Sequence, residues 1–147
     1  MIKFYMNKEK GFIEPQLFNE TADNLARAIA EEGQVEKTVR NKDGSTEKKI
    51  EQKKNKRTQI RKFYDEVLMI NSRANSKINP EQPEIFKPYI NMIIAKAAYA
   101  QGRDFITQKF TDFLKDSIKQ IDTSNDLKVF TNLFEAFMGF YRLHAKD

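Results

Sequence analysis

The stretch LKVFTNLFEAFMGFY, residues 127–141, sets Leu127, Phe130, Phe134, Phe137 and Tyr141 three or four positions apart. That is the period of an α-helix that buries one face. The preceding DTSND, residues 122–126, supplies side-chain oxygens that can accept from the free N–H groups of a first helical turn. Working backward, Ile106, Phe110, Phe113, Leu114 and Ile121 mark a second such face. Pro88 suits the first turn of an earlier helix whose buried side is read as Tyr89, Met92, Ile93, Ala97 and Ala100. Small residues at Ala95, Ala97, Ala98 and Ala100 permit close approach of a neighbour, Gly102 breaks or caps this helix, and Arg103 opens the next.

Further upstream, Ile60, Phe63, Tyr64 and Val67 repeat at helical spacing in KKNKRTQIRKFYDEV, residues 53–67, with Thr58 as N-cap and an end near Ser72. Phe18, Ala22, Leu25 and Ile29 predict a first helix over about 15 to 32, closed by Gly33. NSKINPEQPE reads as a connector. Residues 33 to 56 hold few large apolar side chains and one turn signal, NKDGS, so they are read as a flexible basic excursion, at most a weak hairpin about Asp43–Gly44. No segment reads as a central strand. The expected fold is all-α: a compact bundle of about five helices with a lysine-rich loop after the first, in one domain spanning residues 1–147.

Composition agrees with that expectation. Glycine (5) and proline (4) are scarce, phenylalanine occurs 12 times, and cysteine is absent. A disulfide, a thiolate zinc site and a cysteine nucleophile are thereby excluded, and a reducing cytoplasm is the expected setting. The start, MIKFYMNKEKG, has too short an apolar run for a secretion signal, and no stretch is long enough to span a bilayer. Net charge is +5, and it is uneven: from Glu36 to Lys62 there are 11 Lys or Arg against 4 Asp or Glu. Such a run is either a solubilising loop or a phosphate-facing edge.

Catalytic groups are few. His144, the only histidine, falls in the last turn of the final helix, where either charge state suits the dipole. Asp112 and Asp116 share a helix face and could grip magnesium, but Lys109, Lys115 and Lys119 surround them and favour a solvated, charge-paired face. GQVEKTVRNKDGS lacks the spacing of a phosphate loop. The chain is therefore read as a binding protein, not an enzyme, with no cofactor. The aromatic stripes are read as core, and Phe12 and Phe140, off those stripes, stay open as surface contacts. Lys96 and Arg103 flank the glycine that ends the third helix, either as a basic corner for phosphate or as ordinary helix-end cations.

Three stretches carry a resemblance: TQIRKFYDEV (58–67), AKAAYAQGRDF (95–105) and FTNLFEAFMGFYR (130–142). In this order and separation they resemble the small subunit of the type III-A CRISPR–Cas (Csm) effector complex. The match covers about 15 to 32 and 56 to 145 and leaves the basic excursion outside it. The resemblance implies a helical, non-catalytic protein whose copies stack as an inner filament beside the backbone subunits that hold the guide RNA. It also implies contact with the backbone of the guide–target RNA duplex, with RNA cutting left to the backbone subunit and DNA cutting to the large subunit. On this sequence, Gln59, Arg61, Lys96 and Arg103 become the expected duplex-facing residues, with Arg57 and Lys62 beside them, while Phe63, Tyr64 and Tyr99 hold the bundle. The alternative is a free-standing helical protein-interaction module with a solubilising basic loop.

Overall fold

The computed structural model describes residues 2–147. Five helices carry most of the chain: α1 (Ala22–Glu32), α2 (Arg57–Ala74), α3 (Pro83–Gly102), α4 (Gln108–Ile118) and α5 (Ser124–His144). Two antiparallel hairpins accompany them, β1 (Tyr5–Asn7) with β2 (Phe12–Ile13), and β3 (Gln34–Arg40) with β4 (Thr46–Gln52). These sheets overturn the all-α expectation: the fold is mixed, and the stretch read as a lysine-rich loop is a ribbon of seven residue pairs. Its turn is the one signal the sequence offered. Gly44 takes φ +87, the Asn41 N–H donates to Ser45 O at 2.8 Å, and the Asp43 carboxylate accepts from the Ser45 N–H at 2.9 Å. Those bonds from Ser45, hydroxyl and amide, hold the Asp43 carboxyl below its ordinary range.

The aromatic stripe of the last helix is the centre of the core. Leu127, Phe130, Phe134, Phe137 and Tyr141 are all fully buried, and α1 and α2 pack on either side of them. Phe110 and Phe113 of α4 join this stack, with Phe113 parallel to Phe137 at 5.2 Å and edge-on to Phe134 at 5.4 Å. Phe4, beside the first hairpin, lies stacked over Phe130 at 6.4 Å. Such ring pairs add about 0.5–1.5 kcal/mol each beyond the area they bury. Thr123 caps α5 and Asp126 closes the capping box, as DTSND foretold. Asp126 is itself buried and accepts from the Tyr5 hydroxyl at 2.7 Å, joining the first hairpin to the last helix. Burial and this bond to a carboxylate push the Tyr5 phenol up to about 12.

Two helix readings are corrected. Pro83, not Pro88, occupies the first turn of α3, and Pro88 sits inside the helix. The buried side of α3 is therefore Phe86, Ile90, Ile93, Ala97 and Ala100, with Tyr89 and Met92 both 54% exposed. In place of the first turn of the first helix, Leu17–Thr21 forms a π-helical turn that buries Leu17 and leaves Phe18 exposed. Among the described residues, no helix is long and apolar enough to cross a membrane.

Gly33 ends α1 as expected, for a steric reason absent from the sequence pattern. Its carbonyl accepts from the N–H groups of Lys53 and Lys54 at 2.9 and 3.0 Å, so the returning strand passes directly over it. A Cβ at position 33 would lie 2.2 Å from the Lys54 carbonyl oxygen, a backbone atom with little room to yield. We expect Gly33→Ala to lower stability by about 1–3 kcal/mol, read as a reduced urea midpoint. A pH experiment tests the buried carboxylate. Burial opposes ionisation of Asp126, but bonds from Tyr5 and the Asp122 and Thr123 amides, with Lys8 nearby, hold its carboxyl below the ordinary 3.8. Its contribution to stability is therefore complete above the unfolded value and is lost as pH falls through the depressed one. The advantage of the parent over Asp126→Asn in thermal melts should accordingly shrink as pH drops below 3.8.

Candidate nucleic-acid interface

Asn55 interrupts the basic run and organises everything around it. It is fully buried and adopts the left-handed φ of +55, which asparagine tolerates better than other branched side chains. Its Nδ2 donates to Ile29 O at 2.9 Å and to Thr107 Oγ1 at 2.7 Å, while its Oδ1 accepts from the Thr107 N–H at 2.9 Å. The Asn55 N–H donates to Phe105 O at 2.9 Å, and its carbonyl accepts from the Tyr141 hydroxyl at 2.5 Å. One residue thus ties the end of α1, the α3–α4 connection and α5 to the start of α2. Burial, with Asp147 nearby, raises the Tyr141 phenol far above its ordinary value and keeps it a donor.

With Asn55 turned inward, Lys53, Lys54 and Lys56 flank it on the rim. Together with Gln59, Arg103, Asp104 and Phe105 they line a cleft of about 490 Å³. A second hollow of about 250 Å³ continues along α2 and α3 and is lined by Gln59, Lys62, Phe63, Glu66, Lys96, Tyr99, Ala100 and Phe105. Gln59 and Phe105 belong to both, so the two form one groove. Four of the six residues singled out from the sequence, Gln59, Lys62, Lys96 and Arg103, are brought together here. Lys96 Nζ pairs with Glu66, and Lys54 Nζ lies 3.2 Å from Asp104, so both carboxylates of the groove are neutralised by its own lysines.

Arg57 and Arg61 do not join that group. One turn apart, they share the other flank of α2, where they line a separate hollow of about 400 Å³ with Thr58, Met138, Tyr141, Arg142 and Asp147. Thr58 is not the cap of α2: Lys56 holds the cap position without a side-chain bond, and the Asp147 carboxylate accepts from the Arg57 N–H at 2.9 Å. The same carboxylate lies 3.3 Å from Arg57 Nε, and the Asp147 main-chain oxygen accepts from the guanidinium.

Tyr99 is another correction. It is 66% exposed and does not hold the bundle; its hydroxyl accepts from Arg103 at 3.0 Å and its ring lies under the guanidinium. Phe105, which sequence reasoning passed over, sits under the same guanidinium with 5.3 Å from Cζ to ring centroid. Arg103 thus lies against two solvent-facing rings on the wall of the groove. The signal for this was the cluster YAQGRDF, whose aromatics fall off the helical stripe.

The remaining chemistry is dispersed. His144 Nε2 lies 2.6 Å from Asp23 and ties α5 to α1, away from the groove. Asp112 accepts from Gln108 at 2.7 Å and Asp116 lies 3.6 Å from Lys119, so the two carboxylates are engaged separately. Among the described residues, no group of three or more His, Asp or Glu is placed to hold a metal ion. Phe12 is exposed and Phe140 partly buried against the core.

The model of the family Csm2 Type III-A matches residues 14–147. The chain belongs to that family. It is a type III-A CRISPR–Cas small subunit, and the match runs through β3 and β4, which the motif resemblance had left outside. Comparison with curated proteins and with solved structures gives no match. In this small subunit, the Asp147 contact is the most accessible test of how α2 is held. We expect Asp147→Ala to destabilise the fold by about 1 kcal/mol, the usual cost of a lost helix cap, measured by urea denaturation. The loss should be smaller in an Asp147→Asn variant, whose side-chain oxygen can still accept from the Arg57 N–H while the ion pair with Arg57 Nε is lost.

Proposed function

We propose that this small subunit is non-catalytic and binds the backbone of the guide–target RNA duplex within a cytoplasmic type III-A effector complex that serves antiviral defence. Copies of the chain stack as an inner filament beside the backbone and large subunits, and no cofactor takes part. The observation that carries this reading is the groove itself: six cations, Lys53, Lys54, Lys56, Lys62, Lys96 and Arg103, against two carboxylates that are already paired. Cations on a rigid helical edge meet phosphates without reading base identity, which suits a complex whose specificity comes from guide pairing. The exposed rings of Tyr99 and Phe105 beside Arg103 offer flat surface to a sugar or a splayed base. Arg57 and Arg61, with Arg142, form a second basic rim across α2 that faces the neighbouring phosphates.

The alternative, a free-standing protein-interaction module, draws on the outer side of α3, where Ile85, Tyr89 and Met92 are half exposed. Assemblies indifferent to nuclease and to moderate salt would favour it. For the RNA reading, the test is target-RNA titration of the assembled complex across salt concentrations. Replacing Lys62 and Arg103 together by alanine should weaken binding about tenfold and make the log–log salt slope shallower by roughly 1.4–1.8, since each phosphate contact contributes about 0.7–0.9. Unchanged affinity and slope in that variant would remove the groove from the interface.

A further inference from the structure

The hairpin β3–β4 plays no part in the groove, and its construction is unusual for a surface insertion. Its base is fixed: Gln52 is buried and donates to Ala30 O at 2.9 Å and Lys54 O at 2.8 Å, while Gln34 donates to Gln52 Oε1 at 3.1 Å and His144 O at 2.9 Å. Beyond that base the ribbon stands clear of the helices, with nearly every residue from Val35 to Glu51 exposed. Seven pairs make it roughly 20 Å long.

Charge is sorted by height along it. The three pairs nearest the helices, Gln34–Gln52, Val35–Glu51 and Glu36–Ile50, contain two carboxylates and no cation. From the Lys37–Lys49 pair outward, Lys37, Arg40, Lys42, Lys48 and Lys49 stand against Asp43 and Glu47, with Glu36 of the inner half 3.8 Å from Lys48. Asp43 is engaged by Ser45, and Glu47 lies 3.4 Å from Lys49. Lys37, Arg40 and Lys42 have no ion-pair partner among the described residues. Lys37 also sits directly opposite Lys49 on one face, a like-charge pair that opposes strand pairing until an anion lies between them.

We propose that the outer half of this ribbon, from the Lys37–Lys49 pair to the turn, is a second RNA-backbone site, separate from the groove. The inference rests on the RNA reading above and adds a contact to it. Charge complementarity identifies the occupant as a phosphodiester chain. Lysines along both open edges discourage strand addition by another protein, so the ribbon is poorly suited to pairing with a second copy. Its anchored base holds the basic end at a set distance from the groove. A duplex seated in the groove then meets the ribbon as an intramolecular second contact, which raises affinity without reading sequence.

The experiment compares three variants in the assembled complex, by target-RNA titration at several salt concentrations. The first is Lys37→Gln with Lys48→Gln and Lys49→Gln; the second places arginine at the same positions; the third is the groove pair Lys62→Ala with Arg103→Ala. The glutamine variant should bind about fivefold to tenfold more weakly with a salt slope shallower by roughly 2, and the arginine variant should match the parent. An unchanged glutamine variant beside a weakened groove variant overturns the ribbon site and leaves the groove reading standing. Two unchanged variants sink the RNA reading as well. If arginine fails along with glutamine, or if glutamine blocks entry into nuclease-treated complexes, the ribbon acts through protein packing and the proposal is wrong.

Discussion

A single buried asparagine sets the shape of the basic surface. Asn55 lies amid lysines, yet it is the residue that turns inward and bonds to α1, the α3–α4 connection and α5. A buried amide that lost these partners would leave donors and acceptors unpaired at about 1–3 kcal/mol each, so its position is strongly fixed. Fixing it fixes the backbone on either side. Lys53 and Lys54 are held over Gly33, and α2 must begin at Arg57 with its first turn beside Arg103 and Phe105. The groove is thus a by-product of satisfying one polar side chain in an apolar interior.

What the sequence disclosed follows from how far each cause reaches. The stripes of α4 and α5 were legible because a helix packed on a large core buries one face and imprints a regular period on the chain. α3 was misread on its exposed side because it is apolar nearly all round. With Tyr89, Met92, Ile93 and Ala97 all hydrophobic, period alone cannot say which side is inward. β3 and β4 were read as no more than a weak hairpin in a flexible stretch for the opposite reason. A two-stranded ribbon that buries neither face carries no apolar alternation, and only Asp43–Gly44 marked its turn. Asn55 left no trace at all beyond its identity, since its partners lie as far as 86 residues away.

The same logic accounts for the candidate site. Lys62, Lys96, Gln59 and Arg103 could be gathered from helix spacing and motif resemblance, since the first three sit on α2 and α3, which pack side by side, and Arg103 caps α3. Arg57 and Arg61 were assigned to that group because sequence adjacency does not resolve the two flanks of a helix, and only packing against α5 and Asp147 separates them. The charge that composition located between Glu36 and Lys62 also divides. The ribbon Gln34–Gln52 holds five cations and four carboxylates, whereas Lys53 to Lys62 holds six cations and no carboxylate. Most of the local excess therefore belongs to the threshold of α2.

The placement of α5 has a consequence for how the chain is made. Phe4, α1 and α2 all complete their packing against α5, which leaves the ribosome after them, and the Tyr141 hydroxyl is the latest-made partner of Asn55. Through most of synthesis the two hairpins can close locally, but the aromatic interior has nothing to close upon. The nascent chain therefore presents its phenylalanines to solvent until translation has passed Tyr141. The groove gains its shape in that same late step, so only a copy whose α5 has docked can present it.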